Sequence, residues 1–529
     1  MKFTLFIMSI SIVLIGCGDN TASIQEININ NYDYNVKKMN FVKNINIKIN
    51  SQNTDKYILF TNTSNQKYYF NLRKNKLDIK KNCVLTKEEQ IKNKIMNFNH
   101  KIPIVKQNKT NKFTYSKNIR EDNQIFYLEK DLSSSTKATL QKTIKNITTK
   151  YGKKTLNIWV SNDSFGTNCS KTYCIKQNMV DQLAETFLKE GDDNDIYDWV
   201  TNIFGEEWGE SNNRSLINNN DEITILLTDI NNDNKVFNGI LGYFYAKDNY
   251  KKTIYSGSNE RIMFYIDSVM FASHYGKDEW SMENRITKRI ISTLAHEFEH
   301  MIHFYQKNVL QQNSGLDPWI DEMLAVSTED IIATKLKTKG LREVSYFRGD
   351  AGDNYNQYGQ FPIFNKNINR TFLKWNGKKE DYAMVSAFGS YLLRNYGGAE
   401  LLHNILHNKF TNEKAILYAT KKSPNGIEKD FNRLMQDWGI AVLLSSRTDL
   451  DIDSGYLYNL GDFLETEYNG INYSLGSINF FNYYERPNII TSLNSIEPKS
   501  NLYYKIPKDI NETIKIAINK NIKVAFVTK

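Results

Sequence analysis

Residues 292–304, STLAHEFEHMIHF, hold three of the chain's seven histidines within eight positions, and this spacing constrains the fold more than any other stretch. Four residues advance an α-helix by about 400°, so His296 and His300 leave one face about 6 Å apart along the axis. Two imidazoles placed that way can share one metal ion. Glu297 lies about 100° round from His296, too far off that face to be a convenient ligand but able to meet a water beside the ion. The pattern therefore predicts a metal-bearing helix, from about Asn284 to Lys307, with Glu297 as general base. Ile286, Ile290, Leu294 and Met301 give it an apolar stripe and other apolar residues lie off that stripe, so the helix is expected to be buried on most sides.

Two histidines leave a tetrahedral ion in need of a third protein ligand if one position is to stay open for chemistry. Glu322 is the candidate, 22 residues after His300 in WIDEMLA, on a helix that starts with Asp317 as N-cap and Pro318 at its first position. Glu329, seven positions further and on nearly the same face, is placed to hydrogen-bond a ligand from behind. His303 competes for the third place, but it would have to reach back about 10.5 Å along the helix it shares with His296. Without the upstream motif, Glu322 would read as a solvated helix charge.

The remainder of the chain frames this site. The opening MKFTLFIMSISIVLIG, residues 1–16, is one Lys followed by an apolar run too short to span a membrane comfortably, as in a secretory signal. Leu14-Ile15-Gly16-Cys17 resembles a bacterial lipoprotein signal, with Cys17 lipidated; the plainer alternative is an ordinary signal peptide. The expected location is thus extracytoplasmic, anchored to a membrane by lipid and facing the cell surface or the periplasm. Residues 17–26 read as a tether. Residues 27–135 read as a β-rich N-terminal domain or a pro-segment, with a hairpin joining strands near Tyr57–Phe60 and Tyr68–Leu72. Residues 136–449 mix helices and strands. TKATLQKTIKNITTKYG is expected to be helical, TLNIWVS, EITILLTDI and RIMFYID to be strands, and a helical region to follow the site. Residues 450–529 return to a β-rich module. The fold class is therefore α+β.

With Cys17 set aside, Cys83, Cys169 and Cys174 remain. An exported chain permits disulfides, and Cys169 and Cys174 are spaced to close a small loop; two free thiols are the alternative. DINNDNKVFNGI, from Asp229, imitates the start of a calcium loop and makes Ca²⁺ a second candidate cofactor. Its sixth position is Asn234 and its twelfth Ile240, where Gly and a bidentate Glu belong, so it reads first as a loop. The net charge of +9, from 68 basic and 59 acidic residues, is spread along the chain without a basic arm, and no nucleic-acid motif accompanies it.

The motifs AHEFEHMIHFYQK and WIDEMLA, preceded by LNIWVSND, VTNIFG, ILLTDI, GYFYAKD and SNERIMFYID and followed by SAFGSYLLRNYGG, resemble the hyicolysin family of secreted bacterial zinc metallopeptidases, in the gluzincin group. The resemblance spans roughly 150–445. It implies a zincin-like domain, Zn²⁺ held by His296, His300 and Glu322, Glu297 as the catalytic carboxylate, and protein or peptide substrates that pair with a sheet-edge strand, here RIMFYID. The chain departs from the family pattern at His303, at Asp321 and Met323 flanking Glu322, and at Phe388, where a Tyr is expected. That leaves the oxyanion-stabilising residue open, with Tyr382 and Tyr391 as substitutes. A surface adhesin on a peptidase scaffold and a closed structural zinc site are the readings from other classes. An intact Glu297 argues against the first, and the absence of nearby Cys against the second.

Overall fold

A computed structural model of the chain describes residues 24–28, 35–39, 45–50, 56–70, 85–104, 123–218, 221–371, 373–506 and 514–528. The signal sequence, Cys17 and Cys83 lie outside these residues. The frame of the site is a six-stranded mixed sheet in the order Gly242–Phe244, Ile262–Asp267, Glu222–Thr228, Gly152–Ser161, Ser135–Thr149, Asn123–Tyr127. The middle strands run parallel, with Phe264 opposite Ile225 and Trp159 opposite Leu226, while both outer parts are antiparallel. Ile158, Val160, Ile225, Leu227, Phe264 and Ile266 are fully buried, as a sheet covered on that face requires.

RIMFYID is a strand as expected, but it does not form the edge. Gly242–Phe244 pairs antiparallel outside it, with Tyr243 opposite Tyr265. Only Gly fits at 242, because a Cβ there would stand 2.8 Å from the Tyr265 carbonyl oxygen. The segment expected as a helix from Thr136 is instead the long strand Ser135–Thr149. Leu140, Ile144 and Ile147 follow helical spacing in the sequence, but two irregularities, at Leu140/Lys142 and Ile144/Ile147, insert residues and break the strand's period of two. Its many threonines favour the extended chain.

The histidine helix spans Arg285–His303 and continues through a π-helical turn to Leu310. Ile290, Leu294, Phe298 and Met301 are fully buried, which anchors it against the sheet and the neighbouring helices. The glutamate helix follows, Pro318–Ile331; Asp317 holds the N-cap position, though its side chain makes no capping bond. The tyrosine helix, Lys379–Asn395, crosses it closely. At that crossing a Cβ on Gly389 would come within 2.3 Å of Ser327 Oγ. Arg394 Nη1 meets Asp330 Oδ2 at 2.7 Å with both side chains nearly fully buried, and Ser390 donates to the same carboxylate. The helices Gly398–Leu406 and Phe431–Leu444 complete the helical region.

The terminal β regions share their sheets. Lys56–Asn62 lies between Asn501–Lys505 and Ile522–Thr528, and Ile45–Asn50 lies between Ile24–Asn28 and Ile514–Ile518. The expected hairpin is not formed: Tyr68–Tyr69 pairs with Ser495–Ile496, and both flanks of Lys56–Asn62 are taken by C-terminal strands. Among the described residues, no helix is long and apolar enough to cross a membrane. Cys169 and Cys174 form a disulfide. Asp229 pairs with Lys171 Nζ at 2.9 Å and accepts backbone N–H groups from Asp233 and Asn234, so a cation at that loop would have to displace the lysine.

Filling the space at the helix crossing is expected to cost stability. Gly389→Ala should lower it by about 1–3 kcal/mol through overpacking, and Asp330→Ala by about 3–5 kcal/mol through the stranded Arg394. Urea unfolding measures both, and a wild-type midpoint for Gly389→Ala would show that Ser327 does not approach it this closely.

Candidate metal centre

His296 and His300 sit one turn apart on the histidine helix, with ring centroids 4.9 Å from each other. Their Nε2 atoms converge on Glu322 Oε2, at 3.4 and 3.7 Å. Each Nδ1 is held from behind: Glu329 Oε1 lies 2.8 Å from His296, and Asp321 Oδ1 lies 3.0 Å from His300. Ser292 donates to Glu329 at 2.7 Å and so fixes that carboxylate in turn. A ring that donates Nδ1–H keeps its Nε2 lone pair for a metal.

The three donor atoms lie within 4.8 Å of one another. Glu322 Oε2 is buried and has no hydrogen-bond partner. A buried carboxylate oxygen that faces two imidazole nitrogens without a hydrogen bond to either is a poor arrangement for a metal-free site and a good one for a cation. Burial disfavours charge on His296, yet the facing carboxylates of Glu322 and Glu329 outweigh it and push its pKa up to about 10. Burial likewise works to raise Glu322, and the two imidazoles reverse this and hold it below the usual carboxylate range. Without an ion these carboxylates favour a proton on the rings, and a cation at the site would take that proton's place at Nε2.

His303 is turned away. Its Nδ1 donates to Asp321 and its Nε2 accepts the Leu316 N–H at 3.2 Å, so neither nitrogen is left for the ion. Asp321 gathers three rings, since His100 Nε2 also stands 2.9 Å from its Oδ2. Glu299, His300, His303 and Asp321 form a second group of compatible ligand atoms, but it shares His300 with the first and its Asp321 already accepts from two rings.

Glu297 faces the same space from the strand side. Its Oε2 accepts the Phe244 N–H at 2.9 Å, and burial raises its pKa. Opposite it, the Tyr382 hydroxyl donates to Glu322 Oε1 at 2.9 Å. Phe388 and Tyr391 are fully buried elsewhere, and Tyr391 donates to the Gly455 carbonyl. Of the three positions left open by sequence, only Tyr382 reaches the site. His403 and His407 hydrogen-bond the carbonyls of Ile203 and Phe204 and take no part.

One wall was not foreseen. The N-terminal helix, Lys87–Asn99, begins with a capping box in which Thr86 and Glu89 bond reciprocally. It places Lys92, Met96 and Asn99 beside His296, Glu297 and Tyr382. Asn99 Nδ2 donates to the Phe244 carbonyl at 2.8 Å while its Oδ1 accepts the Ala246 N–H at 2.9 Å. The T-x-x-E signature at 86–89 was the available signal. Together these walls open onto a cleft of about 950 Å³.

The sequence profile of the Peptidase M30 family matches residues 133–448, which contain five of the sheet's six strands, the histidine helix and both partner helices. A neutral metalloprotease, ShpI, from Staphylococcus hyicus is 26% identical over 279 residues, 52% of this chain and 53% of its own length. The match therefore spans about half of each protein. With more than half of its length matched by the family profile, and with the motif histidines and Glu322 facing one another inside the matched region, the chain belongs to the Peptidase M30 family.

Proposed function

We propose that this chain is a zinc-dependent endopeptidase, exported and held at a membrane by a lipid on Cys17. The observation that carries the catalytic part is the buried Glu322 Oε2, which has no hydrogen-bond partner and faces His296 Nε2 and His300 Nε2 with Glu297 in the same cleft. The three residues would hold the ion and leave one position toward the cleft. Zinc there would polarise a scissile carbonyl and bring the pKa of a water toward about 7. Glu297 takes a proton from the attacking water and returns it to the departing amine, while the Phe244 N–H fixes its other contact. Tyr382 exchanges Glu322 Oε1 for the oxygen on which negative charge develops. Phe244 turns both its backbone groups away from the neighbouring strand, one to Glu297 and one to Asn99. By the strand's period of two, Gly242 points the same way and offers its N–H and C=O to an extended peptide. The N-terminal helix, in this reading, is a fixed wall that ends this pairing at Phe244.

Glu297→Gln should retain zinc while casein cleavage falls by on the order of 10² to 10⁴; activity within tenfold of wild type would exclude Glu297 as the base. Tyr382→Phe should lower kcat by on the order of 10² with zinc content kept, and an unchanged kcat would remove it from the mechanism. Third-ligand identity separates two further variants. Glu322→Ala should lose zinc at neutral pH while His303→Asn keeps it, and a titration giving the reverse order rejects the assignment. For the anchor, wild type should partition into detergent and Cys17→Ser should not; equal partitioning would dismiss lipidation.

A further inference from the structure

The cleft in front of Glu297 is far more basic than the chain as a whole. Eight Lys and Arg side chains line it against four Glu, whereas the full sequence has 68 basic and 59 acidic residues. All four carboxylates are engaged. Glu283 pairs with Lys288 and Glu343 with Arg285, each at 3.0 Å, Glu329 supports His296, and Glu297 is committed to the Phe244 N–H. Six cations remain: Lys92, Lys277, Arg289, Lys337, Lys339 and Lys379. None of the six has a carboxylate within ion-pair distance among the described residues.

They reach the cleft from separate directions. Arg289 lies two turns before His296 on the histidine helix, and Lys92 stands 4.7 Å over the Tyr382 ring from the N-terminal helix. Lys379 opens the tyrosine helix, and Lys337 and Lys339 come from the segment after the glutamate helix. Lys337 adopts φ 53° in that segment, so the chain there takes a left-handed turn. The first turn of the histidine helix also faces the cleft and adds the positive end of its dipole. With Lys277 from the loop before the histidine helix, cations from five segments surround one cleft and focus their field on whatever enters it. Arg289 and Lys92 feel Glu329 and Glu297 at a distance, but with no close ion pair the six cations still repel one another, and an anionic ligand relieves that repulsion.

We infer that the cleft selects acidic peptides, with Glu or Asp side chains flanking the bond presented to Glu297. This rests on the peptidase reading, whose substrate class it names. Lys337, Lys339 and Lys379 would meet substrate carboxylates at the exposed end of the cleft, and Lys92 and Arg289 closer to the reacting bond. The selection is electrostatic. It therefore acts through the cleft potential and fades as salt shortens the Debye length from about 8 Å at 0.15 M to about 3 Å at 1 M.

The test uses the zinc-loaded full chain and three fluorogenic peptides with one common core, flanked by Glu, Gln or Lys. The Glu-flanked peptide is expected to show kcat/KM about tenfold above the Gln-flanked one, with the Lys-flanked one lowest. The gap should shrink to about twofold in 1 M salt. Lys337→Glu with Lys339→Glu should close or invert it at low salt, while Lys337→Arg with Lys339→Arg keeps it. Anisotropy of the same labelled peptides on Glu297→Gln reads binding without turnover and should give the same order. Cleavage and binding that are equal across the three charges, or that favour Lys, would overturn the inference. Charge-ordered binding with no cleavage of any peptide by the wild-type chain would uphold the selection and reject the peptidase reading instead.

Discussion

Three carboxylates on one helix must stay ionised while buried, and the structure around the metal centre is organised by that requirement. Asp321, Glu322 and Glu329 leave the glutamate helix toward His296 and His300, in a setting where an uncompensated charge would cost several kcal/mol. The duties are divided by position. Glu322 faces the Nε2 atoms, where a cation fits, while Asp321 and Glu329 face the Nδ1 atoms and fix the tautomer. Neither helix can form the centre alone. A histidine helix rotated by one residue would leave the carboxylates unpaired.

That dependence explains the effort spent on helix placement away from the site. Ile290, Leu294 and Phe298 hold the histidine helix to the sheet. On the far side of the glutamate helix, Arg394 and Ser390 take up Asp330, and Gly389 lets the tyrosine helix approach Ser327. The same approach carries Tyr382 to Glu322, so a packing contact becomes a chemical one. Asn99 and His100 tie the N-terminal helix to the edge strand and to Asp321, which makes the second wall of the cleft part of the same hydrogen-bonded network.

Particular residues show why parts of this were readable in advance and others not. His296, Glu297 and His300 are near in sequence, and helix geometry alone relates them. Glu322 and Glu329 were legible one step later, because a short helix starting at Asp317 and Pro318 has few places to go. Leu140, Ile144 and Ile147 misled because bulges in a strand reproduce helical spacing. The hairpin at Tyr57 failed for a different reason: its strand partners arrive from residues 501–505 and 522–528, and no local pattern reports a pairing across more than 400 positions. Likewise the basic residues are spread along the sequence, and only the fold collects six of them around one cleft.

The family resemblance, the candidate metal ligands and the candidate base were thus legible in the sequence itself, since each depends on spacing within a turn or two of helix or on the order of short motifs. The tertiary structure decided the rest. It chose Tyr382 over Tyr391, set His303 against Asp321 and Leu316, and put Gly242–Phe244 at the sheet edge in place of RIMFYID. It also brought Lys92 and Asn99 to the candidate metal centre from about 200 residues upstream. These outcomes depend on which surfaces pack together once water is excluded, and that balance is summed over the whole core.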